Sequence, residues 1–207
     1  MDKISIIIPA YNEADTIVPL VENITSILQS SNLAPGEIII IDDGSTDQTW
    51  LRIQATFQRY PETIRGIRFR INQGKSVALA VGFQETQGDI VITLDADLQD
   101  DPVFIPQLVQ KIKEGHDVVC GWRKDRKDSI EKTLPSKLFN KVVGIMANMP
   151  VHDFNIGYKA YRSAVVKNLD IYGEQHRFIP ILAEQLGYSV TEIVVTHNKR
   201  TQGKRKY

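Results

Sequence analysis

Only one cysteine, Cys120, occurs among 207 residues. No internal disulfide can form, and nothing in the composition calls for an oxidising compartment. Long apolar runs are equally scarce: none approaches the roughly 18 residues that a membrane-crossing helix needs. The N-terminus enters "KISIIIPA" at once, without a charged-then-apolar leader. The reading is therefore a soluble domain facing the cytosol. Two glycine-rich nucleotide loops, GxGxxG and GxxxxGK[ST], are missing, so a nucleotide would have to be held in another way. Neither sign of charge is in excess, with 25 basic and 25 acidic residues, and no nucleic-acid partner is expected.

The balance hides a polarised distribution. Residues 1–101 carry seven basic and 15 acidic side chains, and the remainder carries 18 basic and ten acidic. Such a chain can offer acidic groups to a cation at one place and basic groups to an anion at another, although two differently solvated faces would give the same counts. At 42% hydrophobic content, the length suffices for the core of one ordinary domain, perceived as 1–207 with no internal repeat.

Short β-branched runs recur along the chain: "ISIII" at 4–8, "EIIII" at 37–41, "IRGIRF" at 64–69, "DIVITL" at 89–94 and "DVVCGW" at 117–122. Helical patterns lie between them, and strands alternating with helices predict a parallel sheet covered on both faces. Asn12 with Asp15 is expected to cap a helix reaching about Ser30, and Ser45 or Thr46 one reaching about Tyr60. Residues 76–86 supply the next helix, and Pro102 suits the first turn of a fourth. After Trp122 the alternation breaks. A charged loop leads to a helix over 134–149 whose stripe of Leu138, Val142, Ile145 and Met149 reads as core packing, with a membrane surface or a second copy of the chain as the sharper alternatives. A strand in "IGYKAY", a helix near "RFIPILAEQL" and a strand in "SVTEIVV" complete the pattern.

The acidic groups cluster where strands end. "PAYNE" follows the first strand, "DDGSTD" the second, and "DADLQDDP" the fourth. In open parallel sheets, ligands bind beyond the carboxyl ends of the strands, so Asp42, Asp43, Asp95 and Asp97 are expected to share one crevice. Four like charges there require compensation, and a divalent cation is the economical answer. On an extended segment Asp95, Asp97 and Gln99 would face one side, and hard oxygen donors suit Mg²⁺ or Mn²⁺. Ordinary helix capping by Asp100 or Asp101 is the alternative for part of this cluster.

The stretches "SIIIPAYNEADTI", "IIIIDDGSTDQT", "NQGKSVALAVGF", "GDIVITLDADLQDDP" and "VVCGWRKDR" resemble, in order and spacing, the motifs of family 2 glycosyltransferases of the GT-A fold. With "HDFNIGYKAYR" and the basic end, they are most similar to the dolichol-phosphate mannose synthase and GtrB-like polyprenyl-phosphate sugar transferases. The resemblance implies an α/β, Rossmann-like three-layer sandwich with a mostly parallel sheet. It also implies inverting, Mg²⁺- or Mn²⁺-dependent transfer of a hexose from a UDP- or GDP-linked donor to a polyprenyl phosphate at the cytoplasmic membrane face. In such relatives the chain continues into membrane helices. The basic "NKRTQGKRKY" is accordingly expected to precede a membrane segment. Residues 1–101 would form the nucleotide-sugar half and 102–207 the acceptor half.

Residue by residue, the resemblance assigns Pro9, Tyr11, Glu13, Asp42 and Asp43 to the nucleotide, with Lys75 nearby. Tyr11 offers a ring, and the carboxylates accept from ribose or base. Asp95, Ala96, Asp97 and Gln99 go to the metal and diphosphate, Arg123 and Arg126 to the acceptor phosphate, and Arg200 and Lys206 to a basic segment folding over the diphosphate. Asp153 is placed near the acceptor. A hydroxyl acceptor would need a base there, whereas a lipid phosphate is already anionic and needs only orientation. His152 and His176 are read as exposed or packing residues. A glycan or protein hydroxyl as acceptor, and a binding domain inactive without its membrane part, remain the alternatives. The sugar and the base stay open.

Overall fold

The computed structural model describes residues 2–33, 36–124, 149 and 151–198. Seven strands form one sheet: β1 Ile4–Ala10, β2 Glu37–Asp42, β3 Ile64–Arg68, β4 Ile90–Thr93, β5 Val118–Trp122, β6 Lys159–Arg162 and β7 Val190–Val194. Their order is β3-β2-β1-β4-β6-β5-β7. β1 pairs in parallel with β2 and β4, β2 with β3, and β5 with β7, while β6 alone runs antiparallel, to β4 and to β5. Every residue of β1, β2 and β4 is buried. That is why these strands read as unbroken apolar runs, the pattern of strands covered on both faces.

Alternate side chains build two cores. On one face Ile4, Ile6, Ile8, Ile38 and Ile40 meet Leu20, Val21 and Ile24 of helix α1 (Ile17–Ser30), Ile53 of α2 (Thr49–Arg59), and Leu108, Val109 and Ile112 of α4 (Ile105–Lys113). On the other, Ile7, Ile39 and Ile41 meet Ala78, Leu79 and Phe83 of α3 (Lys75–Glu85), Val165 and Val166 of α5 (Ser163–Asn168), and Ile179 and Ala183 of α6 (Ile179–Gln185). Each Val, Leu, Ile or Phe among them, fully buried, contributes about 1.5–3 kcal/mol. The result is the three-layer α/β sandwich anticipated above. Among the described residues, no helix is long and apolar enough to cross a membrane.

Two capping expectations fail for a shared reason. α1 begins after Thr16, not under Asn12, and α2 begins after Gln48 without a side-chain cap. Asn12 instead takes φ 54° and its carboxamide oxygen accepts from the backbone N–H of Thr46 (2.8 Å) and Asp47 (3.3 Å). The cap-forming residues thus join the β1 and β2 exit loops to each other. Pro102 does open a helical turn, with Asp101 accepting from Val103 N–H at 3.0 Å. The predicted 134–149 helix lies outside the described residues except for Met149, which packs against the second core.

Candidate active site

Because β6 is reversed, the loop entering it lies at the same sheet edge as the carboxyl ends of β2, β4 and β5. Asp42, Asp95, Arg123 and Asp153 are brought to that edge from positions scattered over the sequence.

On the β1–β2 side, Pro9 pairs opposite Ile41 within the sheet and Tyr11 is half-buried just beyond it. Glu13 is buried and accepts from the Thr16 hydroxyl at 3.1 Å. Asp42 is fully buried, with Oδ1 accepting from Ser45 N–H at 2.9 Å. Its Oδ2 has no hydrogen-bond partner among the described residues, although Arg68 Nε stands 3.3 Å away as a charge partner. A buried acceptor left open in this way costs free energy unless a ligand completes it. Asp43 behaves differently. Its two oxygens accept from Gln73 N–H (2.7 Å) and Gly74 N–H (3.0 Å), fixing the turn before α3, where Gly74 adopts φ 92°. Only glycine takes that conformation cheaply.

This turn aims Lys75. Its ammonium donates to Asp95 Oδ1 at 2.5 Å, with the lysine nearly buried and Asp95 about one-third exposed. Burial opposes ionisation of Asp95, and the Lys75 charge, with Arg123 and Lys159 behind it, outweighs that cost and holds the carboxyl below its usual range. Asp95 also rests directly on Gly157: a Cβ placed there would lie 2.4 Å from Asp95 Oδ1. Beyond Asp95 the chain is not extended, as the alternation argument requires, but turns, with Leu98 at φ 61°. Ala96 is buried in the first core, and Asp97 Oδ1 accepts from Gln99 N–H at 3.1 Å. The Gln99 carboxamide nitrogen faces His197 Nε2 (3.1 Å) and the Asn198 carbonyl (3.2 Å).

Two carboxylates two residues apart, one already holding an ammonium, have the donor chemistry of a hard divalent cation. Among the described residues no group of three or more His, Cys, Asp or Glu side chains is disposed to hold a metal. Mg²⁺ and Mn²⁺ held by one or two carboxylates commonly complete their coordination with phosphate oxygens and water.

On the acceptor side, Arg123 and Asp153 form a bidentate pair, Nε to Oδ2 at 2.7 Å and Nη2 to Oδ1 at 3.0 Å. Both are largely buried. Burial works against the Arg123 charge, and Asp153 more than restores it, so its pKa is raised. The neighbours of this pair clasp as well. The His152 ring stacks on Trp122 with centroids 4.1 Å apart and an interplanar angle of 15°, and Glu192 accepts from His152 N–H at 2.8 Å. Lys159 is buried, donates to the carbonyls of Phe154 and Ile156, and has its pKa lowered by that burial. Arg126, Arg200 and Lys206 lie outside the described residues.

His176, read as an exposed or packing residue, packs against the start of α3. Its Nδ1 is 2.9 Å from the Ser76 hydroxyl, and burial, with Lys75 next, pushes its pKa down to about 3. Gly157, Glu192 and the Ser76–His176 contact were not read from the sequence, because each meets a partner distant in sequence; Lys159 was not read either, although its hydrogen-bond partners are the nearby carbonyls of Phe154 and Ile156.

A three-layer sandwich of this kind, with an aspartate pair beyond β4, has the GT-A architecture. The glycosyl transferase family 2 model matches residues 5–170, and the chain belongs to that family. It is 36% identical over 207 residues to an undecaprenyl-phosphate 4-deoxy-4-formamido-L-arabinose transferase of Pseudomonas paraeruginosa, covering 100% of this chain and 61% of that protein. It is 33% identical over 209 residues to a dodecaprenyl-phosphate galacturonate synthase of Rhizobium johnstonii, covering 99% and 62%. The chain thus spans about three-fifths of the length of these relatives. Among solved structures, it superposes on glucosyl-3-phosphoglycerate synthase of Mycobacterium tuberculosis in complex with Mn²⁺, UDP and phosphoglyceric acid with a TM-score of 0.74, at 22% identity, over 98% of this chain and 72% of that one. A mannosyltransferase of Pyrobaculum calidifontis in complex with GDP-mannose and Mn²⁺ gives 0.71 at 19% identity, over 97% and 57%.

Proposed function

We propose that this chain is the catalytic domain of an inverting, Mg²⁺- or Mn²⁺-dependent transferase that moves a sugar from a UDP- or GDP-linked donor to a polyprenyl phosphate at the cytoplasmic membrane face. The observation that carries the reading is the shared sheet edge. The open Asp42 acceptor, the Asp95–Asp97 pair and the Arg123–Asp153 pair follow one another along it, which supports assigning them in turn to nucleotide, diphosphate and acceptor. Both relatives named above are polyprenyl-phosphate sugar enzymes, which supports the acceptor.

The chemistry follows from the charges. Tyr11, Glu13 and Asp42 receive the nucleoside, and Asp95 and Asp97 hold the cation. When bound, the cation supplies Lewis-acid neutralisation of the departing diphosphate. Lys75 keeps Asp95 ionised and in place. A phosphate acceptor is anionic near neutral pH, so it needs orientation opposite the leaving group more than deprotonation. Arg123 provides that orientation. Both oxygens of Asp153 accept from Arg123, which makes Asp153 the holder of the guanidinium and disfavours a hydroxyl acceptor that needs a free base.

The test is calorimetric binding of UDP and GDP with and without Mn²⁺, on wild type and Asp97→Asn, followed by transfer to a short prenyl phosphate. Metal-dependent binding of one nucleotide, lost in the variant, with turnover onto the phosphate, is the expected result. Metal-independent binding, or turnover only onto a hydroxyl, would refute the donor or acceptor half respectively.

A further inference from the structure

His176 and Ser76 meet across 100 residues of sequence. The His176 backbone N–H donates to Ser76 Oγ at 3.1 Å, and the same oxygen lies 2.9 Å from the ring Nδ1. Ser76 is fully buried, and no other acceptor for its hydroxyl occurs among the described residues. A buried hydroxyl gives its hydrogen to an acceptor within reach, so Ser76 donates to Nδ1. The ring is neutral, because burial and the nearby Lys75, Arg177 and Lys159 charges oppose protonation more strongly than Asp95 favours it. In a neutral imidazole with Nδ1 accepting, the hydrogen resides on Nε2.

Nε2–H therefore points away from the Ser76 contact as a fixed, uncharged donor, and no described residue accepts it. Its place in the fold is specific. Ser76 is in the first turn of α3, next to the lysine that holds Asp95. The charges that act on His176 include Lys75 and Asp95 from the diphosphate side and Lys159, which acts on the Asp95 carboxyl from the acceptor side. In a displacement reaction the transferred group lies between leaving group and nucleophile.

We propose that His176 is a donor-sugar contact, its Nε2–H hydrogen-bonding a hydroxyl or ring-substituent oxygen of the transferred glycosyl group, with Ser76 fixing the tautomer. This rests on the donor-site reading above. A neutral donor suits a neutral sugar oxygen, whereas the diphosphate is handled by charge. It also avoids binding the nucleoside diphosphate product as tightly as the nucleotide sugar.

Two measurements test it. ¹⁵N spectra of the histidine rings are expected to show His176 with Nε2 protonated, Nδ1 unprotonated, and no titration between pH 5 and 8. A protonated Nδ1, or a titration in that range, overturns the proposal independently of any ligand. Calorimetry with UDP and GDP, against UDP-glucose, UDP-galacturonate and GDP-mannose, is then run on wild type, His176→Ala and Ser76→Ala. His176→Ala is expected to weaken the nucleotide sugar about three- to tenfold, the worth of one neutral hydrogen bond, and to leave the nucleoside diphosphate within about twofold. Equal weakening of both ligands, or of neither, overturns the sugar contact while leaving the donor site intact. A wild-type protein that binds none of these ligands overturns the donor-site reading itself, and the sugar contact falls with it.

Discussion

Replacing Gly157 with alanine should uncouple function from folding. A Cβ at 157 would lie 2.4 Å from Asp95 Oδ1, 2.6 Å from its Cγ and 2.7 Å from Oδ2, whereas real Cβ atoms essentially never come within 3.0 Å of a heavy atom beyond their own residue and its chain neighbours. Moving Oδ1 from 2.4 to 3.0 Å demands a displacement of at least 0.6 Å. The obstacle is the end of a short side chain that is about one-third exposed, and nothing at Gly157 requires a left-handed backbone. Asp95 can therefore swing aside, and the fold survives at a cost of about 1 kcal/mol, or about 2–4 °C in Tm for a domain of this size. The swing breaks the 2.5 Å contact with Lys75 and separates Asp95 from Asp97. Since a misplacement of about 1 Å can cost about 10²-fold in rate, Gly157→Ala is expected to lose roughly 10- to 100-fold in kcat/KM, and metal-dependent nucleotide binding with it. Thermal melts and calorimetry on Gly157→Ala, Asp95→Ala and the double variant read both quantities. In the Asp95→Ala background the added methyl meets no carboxylate, so its further cost should vanish. Wild-type metal-dependent binding by Gly157→Ala, or an undiminished cost in the double variant, would refute the steric argument.

Other variants separate scaffold from chemistry. Asp43→Ala leaves two N–H groups at residues 73 and 74 unsatisfied and should lower stability by about 2–3 kcal/mol in urea unfolding, marking Asp43 as the brace of the Lys75 turn. Arg123→Met takes the bidentate partner from a buried carboxylate and should cost about 3–5 kcal/mol, much of it recovered in Arg123→Met/Asp153→Leu, whereas activity should be recovered in neither. Because the folded-state pKa of His176, about 3, lies below its ordinary 6.5, the unfolded chain binds the extra proton first. Its contribution makes stability fall as pH drops from about 6.5 toward 3, and urea midpoints across that range should show a shallower acid slope in His176→Gln than in wild type.

The strands and their order of use were legible because burial on both faces leaves no polar alternation to confuse the pattern: "ISIII", "EIIII" and "DIVITL" are β1, β2 and β4 with ends shifted by a residue or two. The acidic loops were legible for the same reason, since each follows an unmistakable strand. Local rules failed where a side chain had a better distant partner. Asn12 looks like a helix cap and instead bonds residues 46 and 47. Asp95 and Asp97 read as two same-side positions of a strand, yet the chain turns between them and Gln99. Gly157 looked like an unremarkable member of "NIGYK", and its reason for being glycine is a carboxylate 62 positions away. Nothing in the sequence pairs Ser76 with His176 either; only the packing of α3 against the segment before α6 does so.

The clasp between Trp122–Arg123 and His152–Asp153 has an architectural consequence. Two chain positions thirty residues apart are fastened at one point, so the spacing of the Arg123 and Asp153 side chains is set by their own contact. The guanidinium is thereby held from the end of β5 and from the approach to β6 at once, and a change at either point reaches the other directly.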